Sequence, residues 1–185
     1  MSYIDELFKS GVWGTKEPKE PEWVKWIHRN LSENHCPECL MLDGCYFLRE
    51  KAPKHPHHPY CHCLLNSISY NNVLKRDKAV SDYSKYDPYL FNPEYAKKHG
   101  KDRMFKSWGF DITDSKYLQA ECEKQALEKY VNGNYDLGRL DKYGQRISIR
   151  ISIPRKDTGE MVSYITGWMV QQNGKIKLNT PYGGK

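Results

Sequence analysis

The chain has 185 residues, enough for one domain or two small ones, and its hydrophobic fraction of 38% can support a modest core. No apolar run approaches the ~18 residues of a transmembrane helix, so we expect no membrane partner. Residues 1–70 hold 8 Lys and Arg against 9 Asp and Glu, whereas residues 71–185 hold 21 against 14. The net charges are therefore −1 and +7. The basic half suggests a polyanionic partner, and a solvated basic surface without a function is the alternative.

The N-terminal part of the chain shows helical patterns interrupted by a linker. A short helical pattern ends at Trp13, and Gly14 and the Lys–Glu–Pro run up to Pro21 follow it, so residues 1–22 are predicted to be a helix and linker. Beyond Glu22, apolar residues recur at helical spacing, which predicts a second helix. They are Trp23, Trp26, Ile27 and Leu31.

Two short groups of metal-binding residue types follow. Cys36 and Cys39 form a Cys-x2-Cys knuckle, and 21 residues separate Cys39 from Cys61 in a second group. That second group contains His57, His58, Cys61, His62 and Cys63. Two knuckles on separate loops can supply the four thiolate or imidazole ligands of a tetrahedral Zn²⁺. Since no signal segment precedes the cluster, we expect reduced thiols, and zinc rather than disulfides.

Four ligands have to be chosen from this longer list. Cys36, Cys39 and Cys61 are the first choices, and either His58 or Cys63 supplies the fourth ligand. Two further cysteines fit a different role. Cys45 and Cys122 are predicted to be buried thiols, the second on a helix far along the chain. The resulting zinc module spans residues 23–70, and the polar residues 71–86 after it have the composition of an interdomain linker.

The motif order in residues 23–65 resembles a known family. Cys36-Pro-Glu-Cys39, then Asp43-Gly44, then a proline-rich segment and His58-Pro59-Tyr60-Cys61-His62-Cys63 are similar to the zinc-knuckle end of the Mu F-like phage minor head (head morphogenesis) proteins. The resemblance implies a phage-derived protein. It would act in the cytoplasm of a bacterial host or be associated with the virion.

The second half predicts an α+β domain over residues 87–185. One helix is expected from Asn92 or Pro93 to Trp108-Gly109, and another from Thr113 or Asp114 to near Gly133. The spacing of the apolar residues then changes to every second residue, which is typical of strands. Isoleucines alternate with polar residues in 146–154, a return strand covers 162–170, and Asn173-Gly174 is a hairpin turn into a third strand. Two helices packed on an antiparallel meander of at least three strands follow from this order.

A second resemblance covers about residues 86–185. It rests on Tyr89-Leu-Phe-Asn92-Pro93, Lys98-His99, Trp108-Gly109-Phe110, Gly167-Trp168 and Thr180-Pro181-Tyr182. These short motifs are similar to toxin-type domains appended to minor head proteins, several of which belong to the barnase, EndoU, colicin and RelE-like nuclease group. The resemblance implies a nuclease-like fold.

The residues of the second half suggest which side chains would bind or cleave a nucleic-acid phosphate. Metal-independent RNA cleavage needs proton-transfer groups and a cation for the phosphorane. The candidates for those roles are His99, Arg103, Thr180 and Tyr182. An exposed helix residue is the alternative for His99, and an aromatic residue covering the sheet is the alternative for Tyr182. For nucleic-acid binding without catalysis the candidates are Lys97, Lys98, Lys101 and Arg103.

Two hypotheses therefore stand. In the first, a zinc-containing protein binds nucleic acid or a host nucleic-acid-handling complex and inhibits host defence. In the second, the basic domain is a metal-independent ribonuclease toxin-like effector attached to the zinc module. The absence of a clear acid–base pair favours binding.

Overall fold

The computed structural model describes residues 22–29, 36–74 and 78–181, without the side chains of Leu74, Ala96 and His99. The strands are β1 (Trp23–Ile27), β2 (Tyr46–Leu48), β3 (Leu64–Ile68), β4 (Lys78–Val80), β5 (Asp136–Asp141), β6 (Gly144–Pro154), β7 (Met161–Gln171) and β8 (Lys175–Thr180). The helices are α1 (Pro37–Leu42), α2 (Tyr70–Leu74), α3 (Pro93–His99), α4 (Asp102–Ser107) and α5 (Ser115–Val131). The fold is α+β, as predicted. The predicted N-terminal helix and most of its linker lie outside the described residues.

Strand β1, Trp23–Ile27, lies where we predicted a helix, and Leu31 at the end of that prediction lies outside the described residues. β1 pairs antiparallel with β2 and β3 in a three-stranded sheet of order β2-β1-β3. Trp23, Val24 and Trp26 are all buried in it. The spacing of the two tryptophans by three residues suits a helix, but aromatic and β-branched side chains also favour strands, and pairing with two neighbours decides between them.

The large sheet has five strands in the order β4-β8-β7-β6-β5. Its central hairpins match the prediction. Ile147, Ile149, Ile151 and Ile153 are all buried on one face of β6. Asn173 and Gly174 turn the chain from β7 into β8 with φ angles of 61° and 68°, the backbone that an Asn-Gly hairpin turn adopts. The antiparallel meander is therefore confirmed, and β5 extends it.

α4 and α5 pack on the isoleucine face of this sheet. α5 buries Leu118, Cys122, Ala126 and Tyr130, which are spaced by four and so share one side of the helix. Gly133 ends the helix with φ +70°, as predicted. The helix predicted from Pro93 to Trp108 is divided into α3 and α4, because Gly100 adopts φ +64° between them. In the described residues no helix has the length and apolar character needed to cross a membrane.

The segment predicted to be a linker, residues 71–86, contains part of the large sheet. Its residues 78–80 form β4, which pairs in parallel with β8. The backbone and hydroxyl of Ser81 both donate to a Glu123 carboxylate oxygen on α5, at 2.6 and 2.5 Å, and Tyr86 is buried. The linker was predicted from the polar composition of these residues. That composition is also compatible with a short edge strand, which needs few apolar residues.

The two sheets meet at the C-terminal end of α5. The Tyr130 ring packs edge-on against Trp23, with centroids 5.6 Å apart, and its hydroxyl donates to the backbone carbonyl of Tyr46. A Cβ atom on Gly133 would lie 2.6 Å from the Leu48 side chain, so only glycine allows this approach. The amide of Asn173 also donates to the Gly44 carbonyl at 3.0 Å. The cysteine-rich module and the large sheet therefore share one continuous core.

We expect Tyr130→Phe to reduce the free energy of unfolding by about 1–3 kcal/mol, because it removes the buried hydrogen bond from the Tyr130 hydroxyl to the Tyr46 carbonyl. Chemical denaturation followed by tryptophan fluorescence measures this. Tyr143→Phe is the matched control, since Tyr143 is 64% exposed, and it should leave stability unchanged within about 0.5 kcal/mol. Equal stability of the two variants would show that this hydrogen bond does not couple the modules.

Candidate metal centre and basic surface

The local backbone brings the two knuckles together. Cys36 lies directly before α1, Pro37 occupies the first position of the helix, and Cys39 lies in its first turn. On the other side the amide of Cys61 donates to the His58 carbonyl at 3.1 Å. This tight turn, with Tyr60 at φ 62°, presents His58 and Cys61 to the helix.

The Cys39 sulfur lies at the centre of the cluster. Its distances are 3.4 Å to His58 Nε2 and 3.9 Å to Cys61 Sγ. Zn–S bonds of ~2.3 Å and Zn–N bonds of ~2.0 Å at a tetrahedral angle place two sulfurs ~3.8 Å apart, and a sulfur and a nitrogen ~3.5 Å apart. Two edges of a zinc tetrahedron are thus already present around Cys39.

Four further donors gather around this sulfur. Among the described residues, Cys36, Cys39 and His58 have ligand atoms within 4.8 Å of one another, and so do Cys39, Cys61 and Cys63. They line a pocket of about 30 Å³ that is open on one side. The cluster can hold a metal ion. Every metal ligand chosen from the sequence, including both alternatives for the fourth position, lies in it.

The hydrogen bonding of His58 suits a ligand. Its Nδ1 lies 2.7 Å from the Pro59 carbonyl oxygen, which accepts a hydrogen bond only if Nδ1 carries the proton. The lone pair is then on Nε2, the atom that faces Cys39. Metal-binding histidines are commonly oriented in this way by a carbonyl on the far ring nitrogen. His58 is therefore prepared to bind through Nε2.

The electrostatics of the thiols also favour a cation. Burial, together with the neighbouring Cys63 and Cys36, raises the pKa of Cys39 far above its usual range. Burial also raises the pKa of Cys63, although the Trp26 side chain opposes the shift. The pKa of Cys61 is lowered to about 7, because backbone amides outweigh its slight burial. A bound divalent cation would remove the cost of several adjacent thiolates.

The remaining cysteines are buried elsewhere. The Cys45 thiol donates to the Met41 carbonyl at 3.4 Å, and burial raises its pKa to about 12. Cys122 is fully buried on α5, and burial likewise raises its pKa to about 12. Both therefore occupy the buried positions predicted for them.

Two residues beside the cluster were not singled out as ligands. His57 Nε2 lies 2.6 Å from Glu38 Oε2, and their ligand atoms lie within 4.8 Å of the Cys36 sulfur. Glu38 is next to Cys39 in the Cys-x2-Cys knuckle, and His57 is next to His58. Their positions beside predicted ligands were the only sequence feature that could have indicated them. The pair connects α1 to the second knuckle and holds the two ligand-bearing segments together.

A second cluster of functional interest lies in the chain's basic half. We name it the basic corner: Lys85, Lys98 and Lys101 with Tyr89 and Tyr95. The ammonium groups of Lys101 and Lys85 lie 5.6 and 6.0 Å from the Tyr89 ring centroid. Lys98 lies 6.0 Å from the Tyr95 ring, and the two rings are 6.3 Å apart. These are cation–π distances.

The structure joins two of the predicted residues that are far apart in sequence. Lys101 Nζ donates to the Thr180 hydroxyl at 3.0 Å, across 79 residues. Lys97 and Arg103 are exposed on α3 and α4. His99 ends α3, but its side chain lies outside the described part of the structure, as does the whole of Tyr182.

The sequence did not point to Lys85, Tyr89 and Tyr95 as members of this cluster. Asp82 connects it with β8. The pKa of Asp82 is lowered first by hydrogen bonds from Ser84 and further by the nearby charges of Lys177 and Lys85. Asp82 therefore lies near both Lys85 of the basic corner and Lys177 of β8.

Comparison with known proteins gives a family but no activity. A family model described as "Domain of unknown function (DUF6883)" matches residues 72–185. The match begins just before β4 and covers the whole of the large sheet with α3, α4 and α5. Neither the curated proteins nor the solved structures gave a match.

We expect Cys39→Ser to abolish stoichiometric metal binding, because this sulfur belongs to both groups of donors. Purified protein would be analysed for bound metal by mass spectrometry of the native protein and by elemental analysis. Cys122→Ser is the matched control and should retain the metal. Full metal content in Cys39→Ser would contradict the assignment of the centre.

Proposed function

Because the chain belongs to the family of the domain of unknown function DUF6883, whose description gives no activity, we propose its function from geometry. It is a nucleic-acid-binding α+β domain stabilised by a small zinc module. The zinc is structural, and the basic corner contacts the phosphate backbone. The observation that carries the proposal is the position of Lys101, held between the Tyr89 ring and the Thr180 hydroxyl.

Zinc is the metal that best suits the donors. Thiolates with one imidazole exclude magnesium and calcium, which prefer oxygen ligands. The 3.4 and 3.9 Å separations around Cys39 also match tetrahedral zinc geometry. Since five protein donors compete for four positions, no position is left open for a substrate. We therefore assign the ion a structural role.

Nucleic acid is the ligand that best suits the basic corner. Lysines bind phosphates as point charges, and exposed aromatic rings provide stacking surfaces for bases. Tyr95 is 45% exposed, while Lys98 lies beside its ring. The net charge of +7 over residues 71–185 adds a long-range attraction for a polyanion. A phage setting and a host nucleoprotein target remain predictions from the resemblance in residues 23–65.

Catalysis is the second candidate. The contact between Lys101 and Thr180 supports it, because both were singled out from the sequence near the residues expected to act on phosphate. A cation and a hydroxyl can stabilise a phosphorane, but cleavage also needs proton-transfer groups. Binding needs only the described charges and rings, and so we favour it.

We expect the double variant Lys98→Glu/Lys101→Glu to weaken binding of a labelled single-stranded oligonucleotide by at least tenfold, measured by fluorescence anisotropy. Each lost phosphate contact should also reduce the slope of log K against log salt by about 0.7. Lys116→Glu/Lys124→Glu is the matched control. Both of its lysines are exposed on α5, and it makes the same change in net charge.

If the two double variants lose the same amount of affinity for the oligonucleotide, overall charge alone accounts for the binding. Binding that does not respond to salt or to either variant would contradict nucleic acid as the ligand.

The catalytic hypothesis predicts a different result, cleavage of the RNA, with the same purified protein. If the domain cleaves RNA, wild type should produce fragments without added metal, and His99→Ala should abolish the product while binding is retained. Gel electrophoresis of labelled RNA and DNA, with and without chelator, measures this. Intact RNA after prolonged incubation with wild type would leave binding as the sole proposed activity.

A further inference from the structure

The two segments that carry the metal ligands contact each other through two pairs of side chains. On α1, Cys39 is buried, whereas the side chain of its neighbour Glu38 is 39% exposed. On the second knuckle, the rings of the neighbours His57 and His58 lie 6.0 Å apart at an angle of 80°. Cys39 Sγ lies 3.4 Å from His58 Nε2, and we call these residues the inner pair. Glu38 Oε2 lies 2.6 Å from His57 Nε2, and these residues form the outer pair.

The Cys36 sulfur lies close to both pairs. It is within 4.8 Å of the ligand atoms of the inner pair and also within 4.8 Å of those of the outer pair. A tetrahedral ion needs four ligands, and the other four donors of the cluster are sufficient for it. Those donors are Cys39, His58, Cys61 and Cys63. Cys36 is therefore a fifth donor, placed where it can bind an ion together with the outer pair.

Cys36, Glu38 and His57 have the chemistry of a zinc site. They offer a thiolate, a carboxylate and an imidazole, the three kinds of side-chain ligand that zinc accepts. Magnesium and calcium prefer oxygen ligands alone, so this set selects against them. The side chains of Glu38 and His57 are 39% and 22% exposed, and Cys36 is partly buried. An ion can therefore enter from solvent and keep a water molecule as its fourth ligand.

The outer pair holds a proton at the position that an ion would take. A carboxylate only accepts hydrogen bonds, so His57 Nε2 carries the proton in its contact with Glu38. Zinc bonds of ~2.0–2.1 Å to nitrogen and oxygen separate these two atoms by ~3.3 Å, so the 2.6 Å contact must open by about 0.7 Å. Partly exposed side chains can make this movement by rotation. The ion then replaces the proton, which passes to solvent.

We propose that Cys36, Glu38 and His57 bind a second divalent cation of the zinc class, with water as the fourth ligand. This ion has one protein ligand fewer than the first and a more exposed site, so it binds more weakly and exchanges with solvent. The site does not involve the basic corner or nucleic-acid binding. It does rest on the structural zinc of the proposed function, because the first ion fixes the two ligand-bearing segments beside each other.

The test counts the ions bound to the full chain by mass spectrometry of the native protein. Purified wild type should hold one ion, and titration with Zn²⁺ should add a second. Glu38→Gln is the diagnostic variant, because its amide oxygen still accepts the hydrogen bond from His57 but is a poor zinc ligand. It should keep the first ion and weaken the second by about tenfold or more, since removing even a residue that only supports a metal ligand costs that much.

Glu50→Gln is the matched control. Glu50 is exposed in the same module, and the variant makes the same change in net charge, so it should bind both ions as wild type does. His57→Gln is a second diagnostic variant and should also lose the second ion. Thermal unfolding would verify that each variant is folded.

Cobalt gives an independent readout of the third ligand. A second equivalent of Co²⁺ should increase the thiolate-to-cobalt charge-transfer absorbance of wild type, because Cys36 binds it. Cys36→Ser should bind the first Co²⁺ and show no increase with the second. Loss of the first ion in Cys36→Ser would place this cysteine in the first centre and overturn the second site.

The remaining outcomes separate the two centres. If wild type binds one ion and titration adds no other, the second site is wrong and the first centre stands. The second site is also wrong if Glu38→Gln and His57→Gln bind the added ion as wild type does, or if Glu50→Gln weakens it as much as they do. If folded wild type binds no ion at all, the structural zinc of the proposed function fails together with the second site.

Discussion

The rest of the structure depends on the packing of α5 against one face of the large sheet. The isoleucines of β6 alternate with polar residues, so only one face can be buried. α5 covers that face with Leu118, Cys122 and Ala126. Its Gln125 amide also bonds to both the backbone N–H and the carbonyl of Ser152, where β5 no longer pairs with β6. The alternate residues of β6 and β7 are partly or fully exposed.

The same helix explains why a small cysteine-rich module can persist beside the sheet. A three-stranded sheet with one short helix buries little apolar surface by itself, and modules of this size usually need a metal or a partner surface. This one has both. Trp23 and Leu48 pack against the end of α5, while Cys39 lies in the metal cluster. The ion would close the side of the module that the helix does not reach.

The sequence predicted those elements whose signals are local. The alternation in 146–154 and the Asn173-Gly174 turn specify β6 to β8 within a few residues of chain, and the two knuckles identify the metal cluster in the same way. The helix predicted at β1 was wrong because Trp23 and Trp26 are three residues apart, a helical spacing, whereas pairing with both β2 and β3 makes this segment a strand. β4 was missed because its pairing with β8 is parallel and separated by about a hundred residues of chain, which no local pattern records. The contact between Lys101 and Thr180 was beyond prediction for the same reason.

The positions of the two sites also determine how one could influence the other. Gly44, which follows α1 of the metal module, accepts a hydrogen bond from Asn173 in the β7–β8 turn. β8 then runs from that turn through Lys177 to Thr180, whose hydroxyl accepts a hydrogen bond from Lys101 of the basic corner. The candidate metal ligands lie beside Tyr60, which is 91% exposed. A change at the metal would therefore reach the basic corner through the β7–β8 turn and through the contacts at the end of α5, and metal loss should act on ligand binding through stability rather than through direct contact.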